Sequence, residues 1–215
     1  IQNKANEINQ NVKLEFYKTK IYLNLSELNL VVKLQKPKVF IKKNEINLSK
    51  LDLFLSLKSF FSSDFLLTRV EVAFVRNDVK DLTKITNLFL PRFINKQINK
   101  ILAKGNLDGE FVIPFRSDGT IGKDYVFSGR VSNASINFTK EFSIKNLTME
   151  ISNAQEAKNR TITAIIEKGT LFDVELADSK INLKFEKKVV NVKSFLRTNG
   201  KLNFSQVKKY LLYLV

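Results

Sequence analysis

Among residues that could do chemistry, three pairs of carboxylates come first: Asp108 with Glu110, Asp118 with Asp124, and Asp78 with Asp81. Paired carboxylates serve acid–base catalysis when their surroundings push the two pKa values apart. Each pair falls at a turn or an element end, where aspartate is expected for backbone reasons. Gly119-Thr-Ile-Gly-Lys123 has the outline of a phosphate-cradling loop. It departs from that pattern on both sides, because Ser117 stands where the first glycine belongs and Asp124 follows the lysine. The chain has no Cys, His or Trp, which removes the usual zinc ligands, the commonest general base and any disulfide framework. No enzymatic role, cofactor or metal is expected. Seven Asn-x-Ser/Thr triplets occur, among them Asn24, Asn137 and Asn146, at a frequency that an asparagine-rich chain makes by chance.

The elements carry more information than these side chains. Ile21–Leu25, Leu28–Val32, Leu51–Leu57 and Val70–Phe74 place apolar residues on one face at period two. The first ladder of strands is expected over 20–26, 28–35, 38–42, 46–57 and 65–76. Residues 81–104 then switch to period 3.6, with Leu82, Ile85, Leu88, Phe89, Ile94, Ile98, Ile101 and Leu102 on one broad face. This predicts a basic amphipathic helix near 81–104, capped by Asp81 and Gly105 and kinked or split at Pro91.

A second, glycine-punctuated ladder follows. It includes 107–115, a hairpin turn at Asp118-Gly119, and strands over 124–131, 134–138 and 142–151. Four more are expected at 161–167, 171–176, 181–185 and 189–192. Phe204, Val207, Leu211 and Leu214 predict a C-terminal helix near 203–214. The blocks 1–104 and 105–215 thus each read as strands followed by an amphipathic helix. They form one continuous structure, read as a fragment of a longer protein because it begins with Ile1.

Lys and Arg number 36 against 21 Asp and Glu, a net charge of +15, which favours phosphate-bearing surfaces. The combined abundance of Lys, Asn, Ile and Phe is also what an AT-rich genome encodes. Sheets that read single-stranded nucleic acid expose aromatics between cationic grooves. Phe111, Phe115, Tyr125, Phe127 and Phe138 run mostly in phase with the aliphatics instead, so nucleic acid is not expected as a partner. The sequence contains no run of about 18 apolar residues that would cross a bilayer as a helix.

Ile46-Asn-Leu-Ser-Lys-Leu-Asp-Leu-Phe-Leu-Ser-Leu57, Phe65–Val72 and Asp81–Ile85 resemble the N-terminal region of the AsmA/TamB-like proteins of Gram-negative bacteria. Gly105-x-Leu-x-Gly109, Tyr125-x-Phe-x-Gly-x-Val-x-Asn-Ala-x-Ile136 and Ile144–Leu147 are similar to that family's repetitive β segments. The resemblance covers most of 20–200 and rests on strand spacing and turn glycines. It implies a mainly β fold, an elongated, curled antiparallel sheet forming an open apolar groove, distantly akin to chorein-like lipid-transfer bridges. It further implies a periplasmic protein tethered to the inner membrane through an upstream anchor, with phospholipid transport toward the outer membrane as its function. The alternative is a non-transporting assembly module for outer-membrane biogenesis with a closed β core. The expected partners are phospholipid acyl chains and an outer-membrane or envelope protein; no catalytic residues carry over.

About ten half-buried strands present more apolar area than two helices cover, and soluble monomers rarely leave such a face idle. The residues expected to line the groove are Leu23, Leu25, Leu53, Leu55, Val72, Phe111, Ile113, Phe127, Ile136, Ile144 and Leu183.

Overall fold

The period-two stretches form strands that pair mostly with their chain neighbours. The computed structural model describes residues 12–41, 44–57, 66–86, 102–122, 124–137, 143–156, 159–171, 173–186 and 189–201. Its first strands are β1 (Val12–Glu15), β2 (Lys18–Asn24), β3 (Asn29–Gln35), β4 (Lys38–Ile41), β5 (Asn44–Ser56) and β6 (Leu67–Asp78). The helix α1 (Val79–Thr86) precedes β7 (Leu102–Pro114), β8 (Val126–Asn137), β9 (Ser143–Glu156), β10 (Asn159–Leu171), β11 (Val174–Glu186) and β12 (Val189–Asn199). The strands belong to one open antiparallel sheet in the order β1-β4-β5-β6-β7-β8-β9-β10-β11-β12, with β2 on β3 and β3 on β5.

Four of the short strands behave as two long ones. Glu15 faces Lys38 in the β1–β4 ladder, Lys18 faces Gln35 in the β2–β3 ladder, and the pairing resumes after the break without a shift. β3 and β4 likewise follow one another along the same side of β5, where Leu34 faces Leu51 and Lys38 faces Asn47. Lys36, at φ +50°, and buried Pro37 occupy the interruption. A proline there leaves no N–H for the ladder, which is why the strand breaks at that point.

The chain divides into two compact units, one from 1–77 with 108–128 and the other from 78–107 with 129–215. In unit 1, Val32, Leu34 and Leu51 are buried, with Leu14, Phe16, Leu48, Leu53, Leu55, Val70 and Val72 packed against them.

In unit 2 the core is Val79, Val131, Ala134, Ile144, Leu147, Ile166, Leu171 and Leu176. Its strands depart from strict alternation at one place each. Asn133, Asn146 and Asp178 adopt φ of +51°, +51° and +44°, inserting one residue between Val131 and Ala134, Ile144 and Leu147, and Leu176 and Ser179. β10 shifts register on either side of Lys168, between Ile166 and Gly169. Such bulges bend a strand and add twist. Here they also return the side chains after the bulge to the face buried before it. Asparagine and aspartate are the non-glycine residues that tolerate this conformation best.

The structure revises several expected boundaries. Asp78 caps α1 in place of Asp81, its Oδ1 accepting the Lys80 N–H at 2.7 Å. Leu102–Lys104 belong to β7 instead of the helix predicted near 81–104, and Gly105 lies within that strand, so it is no helix cap. The remaining stretch of that helix, 87–101, lies outside the described residues, as does the one predicted near 203–214. The strand expected over 171–176 contains a turn, with Asp173 at φ +61° between β10 and β11. The two strands expected over 124–131 and 134–138 are one, β8, continuous through its bulge. The Asp118-Gly119 turn forms as its sequence predicts. Gly119 stands at φ +78°, and the Arg116 N–H donates to the Thr120 carbonyl at 2.9 Å.

Candidate functional site: two faces of unit 1

Cross-strand pairing in unit 1 assembles three apolar rows from β2, β3, β5 and β6. Thr19, Leu34, Leu51 and Val72 form one; Ile21, Val32, Leu53 and Val70 the next; Leu23, Leu30, Leu55 and Leu67 the third. The rows exist because each strand alternates and each ladder keeps matched residues opposite one another. A further aromatic group in unit 1 consists of Phe74, Phe111 and Phe127. The Phe74 and Phe111 rings meet edge to face at 5.7 Å, and Phe111 and Phe127 lie 4.5 Å apart at a tilt.

The expected lining residues fall into separate places. Leu23, Leu53, Leu55 and Val72 lie in the three rows, whereas Leu25 lies in the turn after β2. Phe111 and Phe127 are in the aromatic group, and Ile113 is half-buried on β7 two residues beyond Phe111. Ile136, Ile144 and Leu183 belong to unit 2. Ile144 is part of the buried core there and Ile136 packs on it, while Leu183 stands between Ile162 and Val192 in the ladders. The structure thus brings the first group together on one face. Sequence reading passed over Ile21, Val32, Leu34, Leu51 and Val70, although the same period-two signal marks them.

Both units have a buried centre, and they differ in the residues around it. Leu147, Ile166 and Leu176 are at most 1 % exposed, whereas Leu53, Leu55, Val70 and Val72 remain half-buried and Ile21 and Leu23 are open. The core of unit 2 is closed, while Val192, Phe195 and Leu196 stay exposed on β12; the apolar face of unit 1 grades from buried Val32, Leu34 and Leu51 to open Ile21 and Leu23 at β2.

The opposite face of unit 1 is charged. Lys20, Lys33, Asp52 and Glu71 line up across β2, β3, β5 and β6. Asp52, buried, receives Lys33 at 3.5 Å and Lys50 at 3.9 Å. Lys50 pairs with Glu71 at 2.7 Å, Arg69 joins Glu71 at 3.0 Å and Glu27 at 2.9 Å, and the Arg69 guanidinium stacks 3.9 Å over Phe54. The Glu71 carboxylate holds the Lys50 ammonium above the ordinary lysine range. Hydrogen bonding with Tyr22 and the charge of Asp52 do the same for Lys33. These pairs join β3, β5, β6 and the turn after β2 in one charged network on the face opposite the apolar rows.

No group of three or more His, Cys, Asp or Glu residues suited to a metal occurs among the described residues. No described helix is long and apolar enough to cross a membrane. The candidate carboxylates are engaged locally: Asp108 accepts the Arg76 N–H at 2.9 Å, and Asp118 accepts the Thr120 hydroxyl at 2.6 Å. That hydroxyl and the Thr120 N–H pull the Asp118 pKa below the usual carboxylate range. Comparison with known proteins yields no matching family model, curated protein or solved structure.

Proposed function

We propose that the apolar face of unit 1 shields phospholipid acyl chains, as part of an AsmA/TamB-like periplasmic protein that moves lipid toward the outer membrane. The observation that carries this reading is the set of three cross-strand apolar rows. In them Val32, Leu34 and Leu51 are buried, Leu30, Leu53, Leu55, Leu67, Val70 and Val72 are half-buried, and Ile21 and Leu23 are open at β2. An acyl chain laid over such a row removes apolar surface on both sides from water, at roughly 25 cal/mol per Å². Each half-exposed Leu or Val covered in this way contributes on the order of 1 kcal/mol. The row of Leu23, Leu30, Leu55 and Leu67, accessible at all four positions, supplies enough to hold a chain and little enough to release it. The network on the opposite face supports the reading by keeping the strands in register while the apolar face changes occupants.

A second reading draws on unit 2. Its core residues Leu147, Ile166 and Leu176 are at most 1 % exposed, which favours a non-transporting assembly module for outer-membrane biogenesis in that half of the chain. Photo-crosslinking with a phospholipid carrying a diazirine on its acyl chain separates the two. The transport reading expects labelled peptides from β3, β5 and β6, around Leu30, Leu53 and Val70. Absence of label there, in a folded protein saturated with the probe, would leave the assembly reading standing.

A further inference from the structure

The residues from Tyr17 to Leu28 hold the larger of two groups of exposed apolar side chains among the described residues, the smaller being Val192, Phe195 and Leu196 on β12. Tyr17, Ile21, Tyr22, Leu23, Leu25 and Leu28 are all large, apolar or aromatic, and exposed, with Leu25 at 70 % and Leu28 at 64 %. Tyr17 directly precedes β2, Ile21 and Leu23 lie on one face of that strand with Tyr22 on the other, and Leu25 and Leu28 lie in the turn that follows. β2 is also an outer strand: among the described residues it pairs with β3 alone. From Tyr17 to Leu25 an extended chain spans about 26 Å. This is a strip, not a point contact.

The charge beside the strip is mostly positive. Between Val12 and Ile41 the sequence carries six lysines and two glutamates. Lys13, Lys33 and Lys38 have carboxylate partners in Glu15, Asp52 and Glu45, and Glu27 is taken by Arg69. Lys18, Lys20 and Lys36 meet no carboxylate among the described residues. Lys18 and Lys36 lie 5.4 Å and 5.7 Å from the Tyr17 ring centroid instead. Lys20 stands opposite Lys33, a like-charge pair that costs stability in an antiparallel ladder. Violations of local rules of this kind gather where a surface serves something other than the fold.

Exposed leucine and isoleucine, tyrosines with polar tips, and lysines with no acidic partner match the interface of an anionic bilayer. Apolar groups enter the acyl boundary, tyrosine sits at headgroup level, and ammonium groups meet the phosphates. We infer that the β2 edge and the 25–28 turn dock on an anionic phospholipid bilayer, with Lys18, Lys20 and Lys36 on the headgroups. An adjoining protein strand would need acidic residues of its own, and a second copy would bring this same basic edge against itself. The charge therefore favours the lipid surface over another copy. Docking needs only this edge and stands without acyl-chain shielding. Ile21 and Leu23 nevertheless head two of the apolar rows, so a docked edge would open directly onto the face described above.

The test is co-sedimentation of the whole chain with vesicles of phosphatidylcholine alone or of phosphatidylcholine with phosphatidylglycerol. Binding is expected to require the anionic lipid and to weaken as salt rises. Lys20→Glu is expected to weaken it by roughly twentyfold, from one cation lost and one anion gained near the surface. Leu25→Asn with Leu28→Asn is expected to weaken it by about tenfold or more. Both variants change exposed side chains, and asparagine tolerates the φ of +51° at Leu28. Equal binding to neutral vesicles, or binding unchanged by both variants, overturns the proposal. So does absence of vesicle binding with a dimer in analytical ultracentrifugation that Lys20→Glu dissolves.

Discussion

Lys20 and Lys33 are direct cross-strand partners in the β2–β3 ladder, and Asp52 lies beside Lys33 at 3.5 Å on the far side. The second lysine is satisfied by the carboxylate; the first is left facing a cation. Lys20→Glu would alternate the charge across β2, β3 and β5. It is expected to raise unfolding stability by a few tenths of a kcal/mol in urea titration. A loss of stability would mean that the two ammonium groups do not sense each other.

The Lys50–Glu71 pair gives the fold a dependence on alkaline pH. The folded-state pKa of Lys50 lies above its ordinary value, so its contribution is complete at neutral pH. It is lost as pH rises through the ordinary lysine range and past the raised value. Both side chains are partly solvated, which keeps the contribution below about 1 kcal/mol. Glu71→Gln is expected to flatten the alkaline part of the stability–pH curve; an identical slope in wild type and variant would contradict the pairing.

Asn146 stands at φ +51° between two fully or nearly buried residues, Ile144 and Leu147. A β-branched side chain resists that conformation, so Asn146→Val is expected to cost about 1–2 kcal/mol. Asn146→Gly should cost far less, because glycine enters the region freely. Equal denaturation midpoints for the two variants would show that the bulge does not depend on backbone conformation at this residue.

Gly105 carries a different constraint. A Cβ built there would lie 2.9 Å from the Ala134 Cβ, and its φ is +148°. Gly105→Ala combines contact and backbone strain and is expected to destabilise unit 2 by about 1–3 kcal/mol. Ala134→Gly in the same chain relieves the contact alone, so partial recovery of thermal midpoint by the double variant measures its share.

What was legible in the chain followed from period. The run Leu51–Leu57 states its own inward face, and the ladders to Leu34 and Val72 confirm it because both neighbours keep the same phase. The turn at Asp118-Gly119 was legible for the same reason, since one residue type meets one backbone requirement. Phase was lost where Asn133, Asn146 and Asp178 insert a residue, because Ile144 and Leu147 share a face at a spacing that alternation assigns to opposite ones. The strand predicted over 171–176 failed at Asp173, where a short apolar stretch conceals a turn. The helix boundary shifted because Asp78 and Asp81 are both acceptable caps, and only the backbone decides between them. The charged face was least legible: Lys33, Asp52 and Glu71 are far apart in the chain, and only pairing brings them into one row.

Whether the apolar face of unit 1 carries lipid is decided most directly by native mass spectrometry of the chain purified from cell envelopes under mild conditions. The account predicts adducts at phospholipid masses on the folded protein, lost in Leu53→Asp, which places a carboxylate between Val32 and Val70. A folded wild-type chain that flies bare, or adducts retained in full by folded Leu53→Asp, would contradict it.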